Sequence, residues 1–74
     1  MNVEAVEHVL RRCIYLLQRP DGTTKVKQEY HYWIDWLKNQ FKQYKKIQDT
    51  KTKNMLEKLV MKSKDLYDDI GYVF

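Results

Sequence analysis

Apolar residues recur along the first segment of the chain at steps of three and four positions, which is the spacing of one face of an α-helix. The positions that follow this pattern are Val3, Val6, Val9, Leu10, Cys13, Ile14, Leu16 and Leu17. Asn2 stands where its side chain can cap the first turn. Glu7 and Arg11 are four positions apart, in the order that stabilises a helix. The pattern predicts a first helix over residues 3–18.

A proline and a glycine separate this helix from the next amphipathic segment. Pro20 disfavours helical geometry at the residue before it, and Gly22 can adopt a positive φ, so we expect a tight turn here. A β-hairpin that pairs residues 14–18 with residues 23–27 is an alternative. The helical spacing continues well beyond the length of a hairpin on both sides, which favours two helices joined by the turn.

The second segment has the broadest apolar face in the chain. Its main stripe consists of Val26, Tyr30, Trp33, Ile34, Leu37, Phe41 and Tyr44. Tyr32, Trp36 and Ile47 lie beside this stripe and widen the apolar arc to roughly half of the circumference. Because so wide an arc usually contacts more than one neighbour, we expect a second helix over residues 24–48 that forms the centre of the fold.

A polar stretch over residues 48–54 precedes a third apolar stripe. This stripe consists of Met55, Leu56, Leu59, Val60, Leu66, Tyr67 and Ile70. Asn54 followed by Glu57 resembles a capping box, and Gly71 can end a helix in a left-handed cap. We therefore predict a third helix over residues 54–70.

These elements predict an all-α fold in which residues 1–74 form a single small three-helix bundle. A chain of 74 residues buries only about 60% of its unfolded surface when it folds. We therefore expect burial against a second copy, in a homodimer. An alternative stays open because no glycine or proline lies between residues 23 and 70. In that alternative, a helical hairpin with one very long second helix forms an intertwined dimer.

The charges are distributed unevenly along the chain. There are 14 basic and 10 acidic residues, a net charge of +4, and the middle of the sequence carries most of the lysines. The C-terminal segment carries three aspartates, Asp65, Asp68 and Asp69. In an antiparallel arrangement they would lie near Lys25 and Lys27, so we expect ion pairs there, within one chain or across a dimer.

The residue types that carry catalysis are sparse. The sequence contains no glycine-rich phosphate loop and no nucleophile motif. His8 and His31 fall on different helices, with no second ligand at metal-binding spacing. Cys13 lies on the apolar stripe of the first helix, where a thiol is unreactive. We expect no enzymatic activity, no metal and no cofactor.

The same cysteine bears on the cellular compartment. Cys13 is the only cysteine and cannot form an internal disulfide, which favours a reducing environment. No stretch approaches the roughly 20 apolar residues needed to cross a bilayer. We expect a cytoplasmic protein that does not bind membranes.

The candidate binding residues lie on the second helix. Tyr32, Trp36 and Ile47 would supply apolar anchors, because tryptophan and tyrosine dominate interface hot spots. The lysine-rich side of this helix would steer the chain to a protein with an acidic surface. Its residues are Lys38, Lys42, Lys45 and Lys46.

We therefore expect a small non-enzymatic regulator or inhibitor that binds a larger protein. The bias toward lysine, tyrosine and isoleucine is typical of AT-rich genomes, and such chains are common among phage and mobile-element regulators. The alternative is a small DNA- or RNA-binding regulator in which Lys38, Lys42, Lys45 and Lys46 contact phosphates.

Overall fold

A computed structural model describes residues 2–43 and 49–71 of the chain. These residues form four helices and no strand. The helices are α1 (Val3–Gln18), α2 (Thr24–Gln43), α3 (Thr50–Met61) and α4 (Lys64–Ile70). The predicted all-α fold is confirmed, and the count of helices differs because the predicted third helix is divided.

The bounds of α1 agree with those read from the sequence. The Asn2 side chain caps the helix by accepting a hydrogen bond from the Ala5 backbone N–H at 3.2 Å. The helix ends at Gln18, and Arg19 is extended. Residues 14–18 are helical, and α2 begins at Thr24, so the β-hairpin alternative is wrong.

The turn between α1 and α2 is made without the positive φ that we expected at glycine. Gly71 is the residue with a positive φ in the described ranges, so Gly22 turns within ordinary backbone geometry. An ion pair within the turn holds it closed, since the Arg19 guanidinium makes two hydrogen bonds of 3.0 Å to the carboxylate of Asp21. The ion pair between Arg19 and Asp21 therefore stabilises the turn, and a positive φ at Gly22 is not needed.

The predicted helix over residues 54–70 begins earlier and breaks once. Asp49, in extended conformation, caps α3 by accepting hydrogen bonds from the Lys51 backbone N–H at 3.1 Å and the Thr52 hydroxyl at 2.6 Å. This carboxylate takes the capping role predicted for Asn54, which lies inside the helix. Ser63 is also extended and caps α4 by accepting from the Leu66 N–H.

These two caps also decide the long-helix alternative. The backbone leaves helical geometry at Asp49 and again at Ser63, so residues 24–70 do not form one continuous helix. The predicted end of the second helix at residue 48 lies outside the described ranges, and α2 is described as far as Gln43. At the end of α4, Gly71 adopts the predicted left-handed cap with φ 60°.

The core is centred on α1, not on α2 as the breadth of the α2 apolar arc suggested. Among the described residues, helix α1 packs against each of the other three helices, whereas α2 packs closely against α1 and α4. Val6, Leu10 and Cys13 of α1 are fully enclosed. Tyr30 and Phe41 of α2 also lie in the core, whereas Trp33 and Trp36 are only partly buried against it.

Burial determines the chemistry of the one thiol. Cys13 is fully buried, and this burial is the main cause that raises its pKa to about 12. The thiol is therefore protonated at neutral pH and packs as an apolar side chain.

The acidic end of the chain is attached to α2 by a hydrogen bond. The Tyr30 hydroxyl donates to the Asp69 carboxylate at 2.5 Å, and Tyr30 is only 6% exposed. Burial, and then this bond, raise the pKa of Tyr30, so the hydroxyl remains a donor.

The predicted pairing of the three aspartates with Lys25 and Lys27 is not found. The ion pairs among the described residues are Arg11–Glu7, Arg12–Glu29 and Arg19–Asp21. The tyrosine hydroxyl, at the edge of the core, is the group that reaches Asp69.

We expect Tyr30→Phe to lower the free energy of unfolding by about 1–2 kcal/mol, because it removes a hydrogen bond to a charged acceptor and keeps the ring. Urea unfolding at neutral pH measures this loss. Tyr32→Phe is the matched control, since Tyr32 is exposed, and its effect should stay within about 0.5 kcal/mol. Equal effects of the two variants would contradict a role for the Tyr30–Asp69 bond.

Candidate functional site

The predicted binding residues are divided between described and undescribed parts of the chain. Tyr32, Trp36, Lys38 and Lys42 lie in α2. Tyr32 is 64% exposed, Trp36 is partly buried against the core, and both lysines are exposed. The other three predicted residues lie outside the described ranges; they are Lys45, Lys46 and Ile47.

The structure does not bring the described lysines next to the aromatic residues. Successive residues of a helix are turned by about 100°, which places Trp36 about 160° from Lys38 and about 120° from Lys42. Lys38 and Lys42 share one side of α2. Tyr32 and Trp36 occupy another side, so the anchors and the charged residues belong to separate surfaces.

The aromatic residues of α2 form a cluster around Trp33. The Trp33 ring meets the Tyr32 ring edge-on at a centroid distance of 5.0 Å. It meets the Trp36 ring in the same way at 6.0 Å. Trp33 belongs to the main apolar stripe of the predicted second helix, and the structure leaves it partly buried, packed against the core and in contact with this cluster. Edge-on ring contacts of this kind are favourable beyond the area they bury.

A carboxylate connects this cluster to α1. The Trp33 indole Nε1 donates to Glu29 Oε2 at 3.3 Å. Glu29 also accepts two hydrogen bonds from the Arg12 guanidinium, from Nε at 2.6 Å and from Nη2 at 3.0 Å. The guanidinium and the carboxylate therefore meet as a two-pronged fork, which fixes both planes as well as the distance.

The contacts continue along α1 through a tyrosine between two arginines. The Arg12 guanidinium carbon lies 5.1 Å from the centre of the Tyr15 ring, and that of Arg19 lies 5.7 Å from it. The Tyr15 ring is 48% exposed. Arg19 also donates to the Tyr15 hydroxyl at 3.3 Å. A cation over an aromatic face is attracted by the negative charge of the ring surface.

Together these residues make one continuous surface, which we call the aromatic–arginine face. Its members are Arg12, Tyr15, Glu29, Tyr32, Trp33 and Trp36. Each member contacts at least one other through a ring contact, a hydrogen bond or an ion pair. The face crosses from α1 to α2 without interruption.

The hydrogen bonds between Arg12 and Glu29 keep both side chains in their charged forms. The hydrogen bonds from Arg12 hold the pKa of Glu29 below its ordinary value. The same bonds raise the pKa of Arg12. Both groups are therefore charged at neutral pH, and the surface combines exposed rings with a fixed guanidinium.

Sequence reasoning found only two members of this face, Tyr32 and Trp36. Glu29 and Trp33 are four positions apart in a helix, and this spacing by itself indicates a contact between them. The pair of Arg12 and Glu29 is 17 positions apart and depends on how α1 and α2 pack, so periodicity within one helix does not show it.

Other kinds of site are not formed by the described residues. No group of three or more histidine, cysteine or acidic side chains there could hold a metal ion. Over the same ranges, no helix is both long enough and apolar enough to cross a membrane.

Comparisons with protein families, curated proteins and solved structures find no match to this chain.

The Arg12–Glu29 fork makes stability depend on pH. Because the pKa of Glu29 is lowered on folding, its ionisation stabilises the fold above the ordinary value of about 4.3, and this contribution is lost as the pH falls through the lowered pKa. We expect Glu29→Gln to reduce the free energy of unfolding at a pH of about 7, and the difference from the unmodified chain to shrink at a pH of about 3. Urea unfolding at both pH values measures it.

Glu57→Gln is the matched control, since Glu57 makes no ion pair among the described residues. A difference for Glu29→Gln that is the same at both pH values would show that the fork does not contribute.

Proposed function

We propose that this chain is a non-enzymatic protein-binding regulator or inhibitor that docks on a larger protein through the aromatic–arginine face. The observation that carries the proposal is the unbroken series of contacts from Tyr15 on α1 to Trp36 on α2. Tryptophan, tyrosine and arginine are the residue types most enriched in the hot spots of protein interfaces. Here all three types occur together on one surface.

The side chains of the face are already held in place by one another, and this supports the proposal on energetic grounds. Immobilising a flexible side chain at an interface costs roughly 0.5–1.5 kcal/mol. The guanidinium of Arg12 is already held by Glu29 and by the Tyr15 ring, and Trp33 is held by Glu29 and by its neighbouring rings. A partner that docks here meets groups that are largely fixed, so less of the contact energy is spent on ordering them.

The partial burial of the two indoles supports binding as well. Trp33 and Trp36 pack on the core with one side and remain partly accessible on the other. Covering their open sides, together with the exposed ring of Tyr32, would remove apolar area from water, at about 25 cal/mol per Å². The occupant that we propose is a larger protein.

In this proposal, the exposed lysines of α2 attract an acidic partner by long-range electrostatics. Lys38 and Lys42 are exposed on a separate side of the helix, and the chain as a whole has a net charge of +4. Such a charge accelerates association with an acidic partner and does not require direct contact. We propose a partner with an acidic surface on this basis.

Self-association through the same face is the second form of this proposal. A homodimer would cover the rings of one protomer with those of its partner, and the small core makes such burial favourable. The composition that is typical of phage and mobile-element regulators is compatible with either form.

Tyr32→Ala is the sharpest test, because Tyr32 belongs to the face and not to the core. Trp36→Ala is less suitable, since Trp36 packs against the core and its loss would also destabilise the fold. The tagged chain and the tagged variant are each expressed in cells of the source organism and purified by the tag. Proteins that are retained with them are identified by mass spectrometry. We expect a protein that the unmodified chain retains and that Tyr32→Ala loses, with circular dichroism unchanged.

Met61→Ala is the matched control, because Met61 is 63% exposed and lies at the end of α3, outside the aromatic–arginine face. It should retain the same protein. If the retained protein is an untagged copy of the chain, the face mediates a homodimer. Equal retention by Tyr32→Ala and the unmodified chain would contradict the proposal.

The nucleic-acid alternative rests on the exposed lysines Lys38 and Lys42, which take part in none of the ion pairs among the described residues. It requires DNA or RNA affinity that falls steeply with salt, by a slope of about −0.9 per phosphate contact on duplex DNA. A gel shift at about 50 mM and about 200 mM salt measures this. The protein-binding proposal expects no shift at the lower salt, whereas a shift that Lys38→Ala and Lys42→Ala remove would favour the alternative.

A further inference from the structure

Helix α3 carries a stripe of lysines that the proposed function does not use. Its members are Lys51, Lys58 and Lys62. At about 100° per residue they fall within an arc of about 40°, and at about 1.5 Å per residue they extend over about 16 Å of helix. Lys62 keeps helical φ and ψ as the C-cap, so it continues the stripe.

The surface beside these lysines is a shallow groove with an apolar floor, which we call the α3 groove. All three lysines line it, together with Thr52, Asn54, Met55 and Leu59. Met55 is 37% exposed, and Leu59 is buried. Beyond its far end, Leu59 and Lys62 also line a separate depression on the α1 side, together with Arg11, Ile14, Tyr15 and Gln18, which is not part of the α3 groove.

The charge of the groove is of one sign. No acidic residue is among those that line it, and none of the ion pairs formed by the described residues involves a lysine. Within α3, Glu57 is turned by at least about 100° from all three lysines and does not line the groove. Before the helix, the nearest carboxylate is Asp49. Its oxygens already accept hydrogen bonds from the Lys51 backbone N–H and the Thr52 hydroxyl. The ammonium groups of Lys58 and Lys62 are therefore available to an external anion.

We propose that the α3 groove binds an acidic amphipathic helix of a partner protein. Lys58 and Lys62 are one helical turn apart, about 6 Å, which is also the separation of two carboxylates four positions apart on a partner helix. An apolar side chain on the same face of that helix would lie over Met55. Methionine adapts its shape to different partners, and helices commonly bind in grooves of this kind.

The floor of the groove favours a peptide over a nucleic acid. A phosphate backbone offers nothing apolar to cover Met55, and the lining contains no aromatic ring on which a base could stack. It also contains no arginine, which is the usual reader of guanine. A partner that combines carboxylates with apolar residues matches both components of the surface.

The test is fluorescence anisotropy with the full chain and a labelled amphipathic peptide of about 16 residues, long enough to span the stripe. The peptide carries glutamates four positions apart and leucines on the adjacent face. We expect saturable binding, weakened at least about tenfold by the double variant Lys58→Glu and Lys62→Glu. The matched control is Lys38→Glu with Lys42→Glu, which makes the same change in net charge at the same spacing on α2. It should weaken binding at most about twofold, through the long-range charge alone.

Two further variants test whether the peptide contacts the apolar floor of the groove and whether binding is independent of the aromatic–arginine face. Met55→Ser should weaken binding of the peptide by about threefold or more, because it removes apolar area from the floor and no charge. Circular dichroism verifies that each variant is folded. Tyr32→Ala should leave peptide binding unchanged, so failure of the aromatic–arginine face and failure of the α3 groove are distinguishable.

The proposal is overturned by any of three results. The first is that the peptide does not bind at about 1 mM, the weakest affinity of interest here. The second is that the two double variants weaken binding equally, which would indicate general charge attraction. The third is that an oligonucleotide binds more tightly than the peptide, loses affinity with Lys58→Glu and Lys62→Glu, and is insensitive to Met55→Ser, which would make the groove a phosphate-binding surface.

Discussion

The rest of the structure depends on the enclosure of α1. This helix packs against the three others, and its buried residues form the middle of the core. Among the described residues, the helices that pack on α2 are α1 and α4, and they leave one side of α2 only partly covered. Trp33 and Trp36 therefore remain partly exposed, and this open aromatic side is the basis of the proposed function.

The Arg12–Glu29 fork turns that open side into an ordered surface. It joins α1 to α2 at the rim of the core, and it places a guanidinium and a carboxylate between Tyr15 and Trp33. An exposed ion pair contributes little to stability by itself. Its larger effect is on geometry, because it fixes the side chains that a partner would meet. The α3 groove, by contrast, relies on exposed lysines and on their charge.

The parts of this architecture that depend on local signals could be predicted from the sequence. The bounds of α1, its Asn2 cap and the left-handed cap at Gly71 follow from the spacing and chemistry of neighbouring residues. The break at Ser63 was missed because no glycine or proline marks it. The separation of Trp36 from Lys38 and Lys42 likewise follows from helical spacing. The central place of α1 and the fork across α1 and α2 depend on tertiary packing, and no pattern within a single helix reveals them.

The most direct test of the account is the accessibility of the two tryptophans in the free chain. Acrylamide quenching of tryptophan fluorescence measures it, on protein shown by sedimentation to be monomeric. Because both indoles are only partly buried, the account predicts clear quenching of the free monomer, and protection when a partner or a second copy covers the aromatic–arginine face. A monomer whose tryptophans resist quenching as fully enclosed indoles do would contradict it.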